Sequence, residues 1–297
     1  MGQYRGNLPV LTPQQKIFYA ENGYIVIEGN VREKLMEEVK QRFIDICNGE
    51  TNHQVFLVMK DPSLKKTGVK GEYLIDKLQD FLRDDILWKY ASDDRVVDIV
   101  QEIIGPNIVA VHSMLINKPP NADAGSSLHP MHQDMHYFPF QPSDKIVASW
   151  TALERVDENN GCLYVVPGSH KGPLYKHTYP DGFKKNLYHG VQGFEHLKKK
   201  FVIMNKGDTV FFHPHLLHGS GPNKTQGFRK AISCHYASSD CEFINVKGTI
   251  QEKLAKEVER DTRKVFGLEM TITELWRTKS RLVRGRLGKF HDVNSHL

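Results

Sequence analysis

The sequence predicts a mainly β protein, an antiparallel sandwich or barrel that is flanked by helices. Between residues 105 and 245, short β-rich runs alternate with turn segments rich in glycine and proline, a pattern typical of antiparallel sheets and not of β-α-β units. On either side, apolar residues recur every three or four positions, as they do in amphipathic helices. We therefore expect one domain over 1–297, with a mostly helical part at 1–104, a β core at 105–245 and a helical, basic tail at 246–297.

The first helix is marked by its capping residues. Thr12 is followed by Pro13 and Gln15, the arrangement of an N-cap, a first-turn proline and a capping-box partner. The helix should stop near Asn22, because Gly23 follows it.

Three further elements are expected before residue 105. Residues 24–27 are a short apolar run of the kind found in buried strands. A second helix should run from Asn30, its expected cap, to Asn48, since apolar side chains recur along one face. Residues 94–104 predict another helix that is buried on most sides.

Five runs in the middle of the chain have the length and composition of strands. They are 108–116, 145–153, 161–166, 209–212 and 229–236. Gly161, Pro167 and Gly168 are expected to shape turns between them. Beyond residue 245 a helix is expected again, with Thr249 and Glu252 as its capping box.

The composition is that of a folded protein from a reducing compartment. With 39% hydrophobic and 25% charged residues, the chain is neither disordered nor fibrous. Its four cysteines have neither C-x-x-C spacing nor the density of a disulfide scaffold. No apolar run approaches the roughly 18 residues that cross a bilayer, and the start of the sequence lacks the apolar core of a signal peptide. We therefore expect neither a spanning nor an exported protein.

The net charge of +5 comes from a basic tract near the end of the chain. Its members are Arg277, Lys279, Arg281, Arg284, Arg286 and Lys289. Such a tract is most often solvated surface, and attraction of a phosphate-bearing ligand is the alternative. Nucleic acid is not an expected partner, because aromatic residues stand only at the edges of the tract and no binding module is recognisable.

Six histidines fall in two short clusters. They are His129, His132 and His136, and then His213, His215 and His218. In an extended segment residues i and i+2 point to one side, so His132 and Asp134 can hold a common ion. A histidine from a distant strand would complete a two-histidine, one-carboxylate triad, which leaves three adjacent positions open on iron(II). An isolated H-x-D pattern, however, is more often an ordinary polar or core feature.

Arg229 lies eleven residues beyond His218, after a loop of small and polar residues. This spacing predicts that the two residues lie on adjacent antiparallel strands, with the arginine deeper in the barrel. A guanidinium fixed there could bind the far carboxylate of a small diacid through two parallel hydrogen bonds. For an arginine considered alone, a surface ion pair is the more common role.

Four segments together resemble the phytanoyl-CoA dioxygenase family of peroxisomal iron(II)- and 2-oxoglutarate-dependent hydroxylases. They are LHPMHQDMHYFPF, WTALERVDENNGCLYVVPGSHKG, KGDTVFFHPHLLHGSG and NKTQGFRKAISCHYAS, in that order, and the resemblance extends over residues 11–284. It implies a double-stranded β-helix, a cupin-like jelly-roll of two antiparallel sheets, which agrees with the β-rich middle of the chain.

The resemblance also implies site residues. His132, Asp134 and His218 match the family's iron ligands, and Arg229 matches its 2-oxoglutarate arginine. The remaining pocket positions of the family fall on Lys77, Met114, Gln133, Trp150 and Ser220.

The other clustered histidines match no ligand position of the family. They are His129, His136, His213 and His215, and we expect them to be structural or to support the ligands, although His136 could approach the substrate. Asp134 speaks against the halogenating branch of such enzymes, where a small residue at this position leaves a site for chloride.

The implied activity is 2-hydroxylation of phytanoyl-CoA and related 3-methyl-branched acyl-CoAs in peroxisomal fatty acid alpha-oxidation. Fe(II), 2-oxoglutarate and O2 are the implied cofactor and cosubstrates, and ascorbate is expected to support activity. Three alternatives remain: the same chemistry on another acyl-CoA or small lipid, a non-catalytic lipid or CoA carrier on this scaffold, and a zinc hydrolase, which would give Arg229 no role.

The expected address is the peroxisome. Ser295, His296 and Leu297 resemble the S-K-L peroxisomal signal, so a peroxisomal import receptor is an expected partner. Family members of vertebrate type carry a cleavable N-terminal targeting sequence instead.

Overall fold

A computed structural model describes residues 10–61, 68–120, 128–179, 189–194 and 196–292. Its helices are α1 (Pro13–Asn22), α2 (Glu33–Asn48), α3 (Trp88–Ala91), α4 (Asp94–Ile104), α5 (Glu252–Phe266) and α6 (Ile272–Lys279). Within the described ranges, none of these helices combines the length and the apolar character that a membrane span requires.

Fourteen strands are present in the described residues. They are β1 (Tyr24–Ile27), β2 (Leu57–Lys60), β3 (Ile75–Gln79), β4 (Ile108–Lys118), β5 (His129–His132), β6 (Phe140–Gln141), β7 (Ile146–Ala152), β8 (Leu163–Val165), β9 (Lys200–Phe201), β10 (Thr209–Phe212), β11 (His218–Ser220), β12 (Arg229–Ser238), β13 (Glu242–Phe243) and β14 (Arg281–Arg284). The three longest are β4, β7 and β12.

Two antiparallel sheets form the core. The larger sheet has the order β1-β10-β7-β12-β4-β3-β2, with β14 also paired to β4, and the smaller sheet has the order β5-β11-β8-β9. A separate ribbon pairs β13 with β6. This arrangement confirms the predicted mainly β fold with a jelly-roll core and flanking helices.

The central strands of the larger sheet are covered on both faces, and every residue of β7 and β12 is buried. Along β12, Ile232 and Cys234 belong to a core with α2 and α4, whereas Ala231 packs between the two sheets with Trp150. Because side chains alternate along a strand, Arg229, Ser233 and His235 share the inner face with Ala231. This alternation brings polar side chains into the space between the sheets.

The sequence located several elements correctly. Helix α1 has the predicted capping box of Thr12 and Gln15 and ends at Gly23, whose φ is 79°. Strands β1 and β10 and helix α4 have the predicted bounds. Gly161 and Gly168, with φ of 81° and 80°, lie in turns as expected.

Two predicted helix caps are wrong. Helix α2 begins after Arg32, because the Asn30 side chain donates to Thr209 Oγ1, 3.3 Å away, and so ties the chain to β10. Helix α5 begins at Glu252 itself, with Gln251 as its N-cap, so Glu252 is the first helical residue and not the third, as a capping box requires. Thr249 Oγ1 instead accepts from the Gln251 amide at 3.2 Å.

The basic tract is folded against the sheet and is not a solvated tail. Arg281 donates to the Leu82 carbonyl at 2.9 Å, Lys279 lies 3.1 Å from Asp80 Oδ2, and Arg284 lies 2.7 Å from Asp98. Residues 281–284 form β14, where a helix was expected. Most of these cations therefore serve the fold, which weakens the alternative that the tract attracts a ligand.

Candidate active site

Three predicted ligands meet where β5 ends and β11 begins. His132 is the last residue of β5, Asp134 follows two residues later, and His218 opens β11 directly opposite His132. Asp134 Oδ1 lies 3.2 Å from His132 Nε2 and 3.6 Å from His218 Nε2. One ligand atom from each residue lies within 4.8 Å of the others, and all three residues are buried. We call this group the triad.

Backbone carbonyls orient both triad histidines. Nδ1 of His132 lies 2.8 Å from the Pro130 carbonyl oxygen, and Nδ1 of His218 lies 2.9 Å from that of Leu216. Since a carbonyl only accepts, each Nδ1 carries the proton and each Nε2 offers its lone pair beside Asp134. Two imidazole nitrogens and one carboxylate, supported in this way, are the donor set of a non-haem iron(II) centre.

The charge states of the triad also suit a metal ion. Burial opposes ionisation of Asp134, but the neighbouring His218 and His235, the latter through a hydrogen bond as well, lower its pKa well below the usual range. Burial and the neighbouring His132 lower the pKa of His218 to about 4. At neutral pH the carboxylate is therefore charged and this imidazole neutral, as metal ligation requires.

Sequence reasoning missed His235, which holds the second oxygen of the triad carboxylate. Its Nε2 lies 2.7 Å from Asp134 Oδ2, so that Oδ1 faces the two histidines. The signal was the alternation along β12, because residue 235 shares the face of Arg229. Outer contacts of this kind orient metal ligands and tune their affinity.

A cavity of about 730 Å³ extends from the triad between the sheets. Five of the predicted pocket residues line it: Lys77, Met114, Trp150, Ser220 and Arg229. We call it the cationic cavity, because three buried basic side chains, those of Lys77, Lys118 and Arg229, are among its lining.

Arg229 is the most deeply buried of these cations, at 1% exposure. Burial lowers its pKa to about 10, so the guanidinium stays charged at neutral pH. Among the described residues, its Nε and Nη1 have no hydrogen-bond partner, and its guanidinium carbon lies 5.6 Å from the centre of the Trp150 ring. A buried guanidinium with unused donors fits an anionic ligand such as a carboxylate, and a surface ion pair is excluded.

Lys118 was also missed by the sequence analysis. It lies directly opposite Arg229 on the neighbouring strand, and its Nζ donates to Ser220 Oγ at 2.8 Å and to the Gly221 carbonyl oxygen. Extending the predicted strand 108–116 by two residues would have placed Lys118 on the face of Met114.

Gln133 stands apart from the other predicted pocket residues. Its Nε2 donates to the carbonyls of Pro173 and His215, at 3.0 and 2.9 Å, and its Oε1 accepts from the Tyr175 amide at 2.8 Å. The fully buried side chain therefore joins loops and is absent from the described lining of the cationic cavity.

The predicted pairing of the strands that carry His218 and Arg229 is wrong. Strand β11 belongs to the smaller sheet, between β5 and β8, whereas β12 lies in the larger sheet between β4 and β7. The loop between them crosses from one sheet to the other instead of forming a hairpin. The two residues therefore lie on opposite walls of the same cavity.

The remaining clustered histidines lie around the triad without joining it. The His129 ring lies 4.3 Å from that of His132. The His136 ring stacks at 4.2 Å on His177 and is absent from the described cavity linings, so it does not approach a substrate there. His213 and His215 lie beside each other, with ring centres 5.6 Å apart.

A second cavity, of about 1220 Å³, meets the first at the triad. Both are lined by Lys77, Met114, His129, His132, Asp134 and His235. Beyond these shared residues the second cavity runs between β2 and the helices α5 and α6, where its lining is mostly aliphatic and aromatic. We call it the apolar cavity.

Comparison with known proteins gives consistent matches. Residues 19–231 match the family model described as phytanoyl-CoA dioxygenase (PhyH). The chain is 47% identical over 289 residues to the peroxisomal phytanoyl-CoA dioxygenase of Homo sapiens, with 95% of this chain and 86% of the human chain covered. It is 46% identical over 296 residues to the probable phytanoyl-CoA dioxygenase of Caenorhabditis elegans, with coverage of 93% and 94%.

Solved structures with the same fold are more distant in sequence. The crystal structure of EctD from S. alaskensis in its apoform superposes with a TM-score of 0.62 at 16% identity and covers 82% of each chain. This likeness concerns the fold alone.

Proposed function

The chain belongs to the phytanoyl-CoA dioxygenase family, and from this premise we propose that it 2-hydroxylates phytanoyl-CoA and related 3-methyl-branched acyl-CoAs in peroxisomal fatty acid alpha-oxidation. One observation carries the proposal: the triad of His132, Asp134 and His218 stands beside a buried guanidinium whose donors lack a partner among the described residues. The first feature suits iron(II), and the second suits a dicarboxylate such as 2-oxoglutarate.

In this proposal His132, Asp134 and His218 hold the iron. When bound, the metal supplies oxygen activation, with 2-oxoglutarate as the reductant and O2 as the oxidant. The backbone bonds to both Nδ1 atoms keep the histidines in the ligating tautomer. The bond from His235 keeps one carboxylate oxygen of Asp134 turned away from the metal.

Arg229 and Ser220 bind the distal carboxylate of 2-oxoglutarate, and Lys118 adds a second positive charge next to it. The Trp150 and Met114 side chains form apolar walls of the same cavity and exclude water from the ion pair, which strengthens it. Lys77 lines both cavities and so stands where the cosubstrate and the substrate meet.

The carrier and hydrolase alternatives fit the site less well. A lipid or CoA carrier does not require three side chains that converge as metal ligands, two of them histidines with a fixed tautomer. A zinc hydrolase does not require an arginine that is only 1% exposed in the same cavity. Oxidation of another acyl-CoA or small lipid uses the same centre, so only a substrate panel separates it from the proposed reaction.

The test measures succinate and hydroxylated product from purified protein supplied with Fe(II), 2-oxoglutarate, O2 and ascorbate. We expect phytanoyl-CoA to stimulate succinate formation, with about one 2-hydroxy product for each succinate. Omitting ascorbate should lower the number of turnovers. Asp134→Ala is the matched control and should form neither product. If other acyl-CoAs or free acids stimulate turnover and phytanoyl-CoA does not, the substrate assignment is wrong.

We further propose that residues 1–297 act as one catalytic domain in peroxisomes. Strands from both flanks of the β core, β1 and β3 before it and β14 after it, pair into the larger sheet, which supports the single domain. The address is supported by relatives named peroxisomal, while residues 295–297 lie outside the described residues. We expect a fusion with an N-terminal fluorescent protein and without residues 295–297 to stay outside peroxisomes, because the import receptor reads the C-terminal tripeptide. Unchanged import of this fusion would show that the tripeptide is not the signal.

A further inference from the structure

We infer that the apolar cavity binds the acyl chain of the substrate, with carbon 2 at the triad and the far end of the chain near the C-terminal end of α5. The inference rests on the proposed function, because it takes a branched acyl thioester as the substrate. It adds where the chain lies and which residues set the preferred chain length.

The position of the two cavities assigns one reactant to each. Both reach His132 and Asp134, so a molecule in either one can approach the metal site. The cationic cavity contains Arg229 and Lys118 and fits a dicarboxylate. A long hydrocarbon gains nothing from these cations, and the apolar cavity is the other described route to the triad.

The lining of the apolar cavity suits a saturated chain. Its apolar members are Phe56, Leu57, Met59, Met114, Phe138, Leu254, Val258, Val265, Phe266, Leu275 and Trp276. Each methylene group that moves from water into such a lining favours binding by about fourfold. Affinity should therefore rise steeply with chain length for as long as the chain stays inside.

Helix α5 gives the cavity its length and direction. Leu254, Val258 and Val265 line it at positions i, i+4 and i+11, which share one helix face, and the stripe spans about 16 Å at 1.5 Å per residue. The inner end of this stripe lies near the triad, because the Gln251 side chain donates at 3.0 Å to the carbonyl of Met135, the residue after Asp134. Val265 marks the outer end and is 60% exposed.

The pantetheine arm of coenzyme A is attached to the thioester next to carbon 2 and is therefore the competing occupant of this cavity. Two features favour the acyl chain. The arm contains two amide groups that need hydrogen-bond partners when buried. On the cavity wall Asp80, His112 and Lys279 bind one another, and Asp261 pairs with Arg260, while Gln79 and Thr262 are further polar members of the lining. His112 Nδ1 lies 2.7 Å from Asp80 Oδ1, and Lys279 Nζ lies 3.1 Å from Asp80 Oδ2. In addition, Phe56 and Phe266, with ring centres 4.5 Å apart, form an aromatic wall that a hydrocarbon can contact.

The experiment fills the middle of the cavity with Val258→Trp and compares 3-methyl-branched acyl-CoAs of increasing chain length. For phytanoyl-CoA we expect kcat/KM to fall by about 30-fold or more, because the tryptophan should displace roughly three or more methylene groups from the cavity and each of them favours binding by about fourfold. For 3-methylhexanoyl-CoA, which ends before Val258, the loss should stay within about threefold. Calorimetric Kd values without O2 should follow the same order. Val258→Ala, which shortens the side chain without adding bulk, should weaken binding of the long substrates alone.

The matched control is Lys256→Trp, which introduces the same side chain on the opposite, exposed face of α5; the Lys256 side chain is 72% exposed. Its chain-length profile should match the wild type within about twofold. Equal losses for long and short substrates in Val258→Trp would place the pantetheine arm in the cavity, and an unchanged profile would place the chain elsewhere. Either result overturns the inference. If the wild type binds these thioesters with the expected profile but oxidises none, the proposed function fails and the assignment of the cavity stands.

Discussion

Asp134 uses its two carboxylate oxygens for different partners. Oδ1 faces the triad histidines, and Oδ2 accepts a hydrogen bond from His235 at 2.7 Å. His235 is thereby a positioning residue, because it acts through Asp134 and restricts the rotation of this carboxylate. Its effect should appear in metal affinity before it appears in any other property.

The first prediction concerns this positioning bond. His235→Leu should weaken Fe(II) binding by roughly 10- to 100-fold, the usual effect of losing an outer contact to a ligand. His235→Gln should restore part of the affinity, because its Nε2 can donate to the same oxygen. Competition with a chelator measures both values. Equal affinities for the Leu and Gln variants would show that the bond itself is unimportant.

A second prediction separates the triad from its neighbours. His132→Ala, Asp134→Ala and His218→Ala should each abolish Fe(II) binding and turnover with little change in far-ultraviolet circular dichroism, since the core packs elsewhere. His213→Ala should retain measurable turnover, because its ring lies outside both described cavity linings. If His213→Ala lost iron while His218→Ala retained it, His213 would be the third ligand and the assignment of His218 would be wrong.

The third prediction addresses Arg229. Removing one partner of a desolvated ion pair costs about 2 to 5 kcal/mol, so Arg229→Ala should raise the KM for 2-oxoglutarate by roughly 30-fold or more, at 1.4 kcal/mol per tenfold. Arg229→Lys should recover only part, because one ammonium cannot form two parallel hydrogen bonds. Iron affinity serves as the control and should barely change. An unaltered KM in Arg229→Ala would remove the arginine from the cosubstrate site.

Side-chain alternation explains which site residues the sequence could reveal. The histidine clusters and Arg229 are visible because their residue types are unusual where they occur. Lys118 and His235 have equally strong contacts in the structure, yet each stands in a run that reads as ordinary strand. Side-chain alternation puts both on the inner face of the larger sheet, and the strand register then sets Lys118 opposite Arg229.

At the scale of elements, α6 is held to the larger sheet by a buried ion cluster. Lys279, the last residue of α6, pairs with Asp80, which also contacts His112 on β4. Burial opposes ionisation of Asp80, but Lys279 and His112 lower its pKa below the usual range. The cluster therefore stabilises the fold while the carboxylate is ionised, and this contribution disappears as the pH falls through the lowered pKa.

Breaking this cluster is the fourth prediction. Lys279→Met should lower the free energy of unfolding by about 3 kcal/mol or more, because Asp80 keeps its charge in a buried place. The difference from the wild type should be largest near neutral pH and shrink below about pH 4, where unfolded-state carboxyls become protonated. Lys289→Met, which removes an exposed cation paired with Glu242, should leave the denaturation midpoint nearly unchanged. A deficit in Lys279→Met that grows on acidification would contradict the argument.

The elements that escaped the sequence analysis share a physical cause. Strands β5, β9, β11 and β13 have two to four residues, too few for a hydrophobic period to show. Their stability comes from pairing with strands far along the chain, such as His218 with Val165. Strand β10 is also short, but all four of its residues, 209–212, are apolar or β-branched and follow a glycine turn, so it was predictable because local composition and tertiary pairing agree there.

At the scale of the whole molecule, the triad joins two strands that are distant in sequence. His132 and Asp134 come from the end of β5, and His218 comes from β11. A ligand that binds only the folded arrangement stabilises it by about 2.7 kcal/mol at a hundred times its Kd. Metal binding should therefore be visible in global unfolding.

The fifth prediction follows from this linkage. Adding Mn(II), as a redox-stable substitute for iron, at about a hundred times its Kd should raise Tm by roughly 4 °C, because an unfolding entropy of about 2.1 cal/mol/K per residue gives about 1.6 °C per kcal/mol for a chain of this size. Scanning fluorimetry with and without a chelator measures the shift. His218→Ala should show none. An equal rise in that variant would mean that the ion binds outside the triad.

The central place of β12 also sets when the site can form during synthesis. This strand pairs with both β4 and β7 and carries Arg229 and His235. A nascent chain that has emerged from the ribosome only as far as β10 contains His132 and Asp134, but it lacks His218 and the middle strand of the larger sheet. The triad therefore forms only when nearly the whole core has been translated, and a premature stop before Arg229 leaves a product in which the cationic cavity lacks its most buried cation.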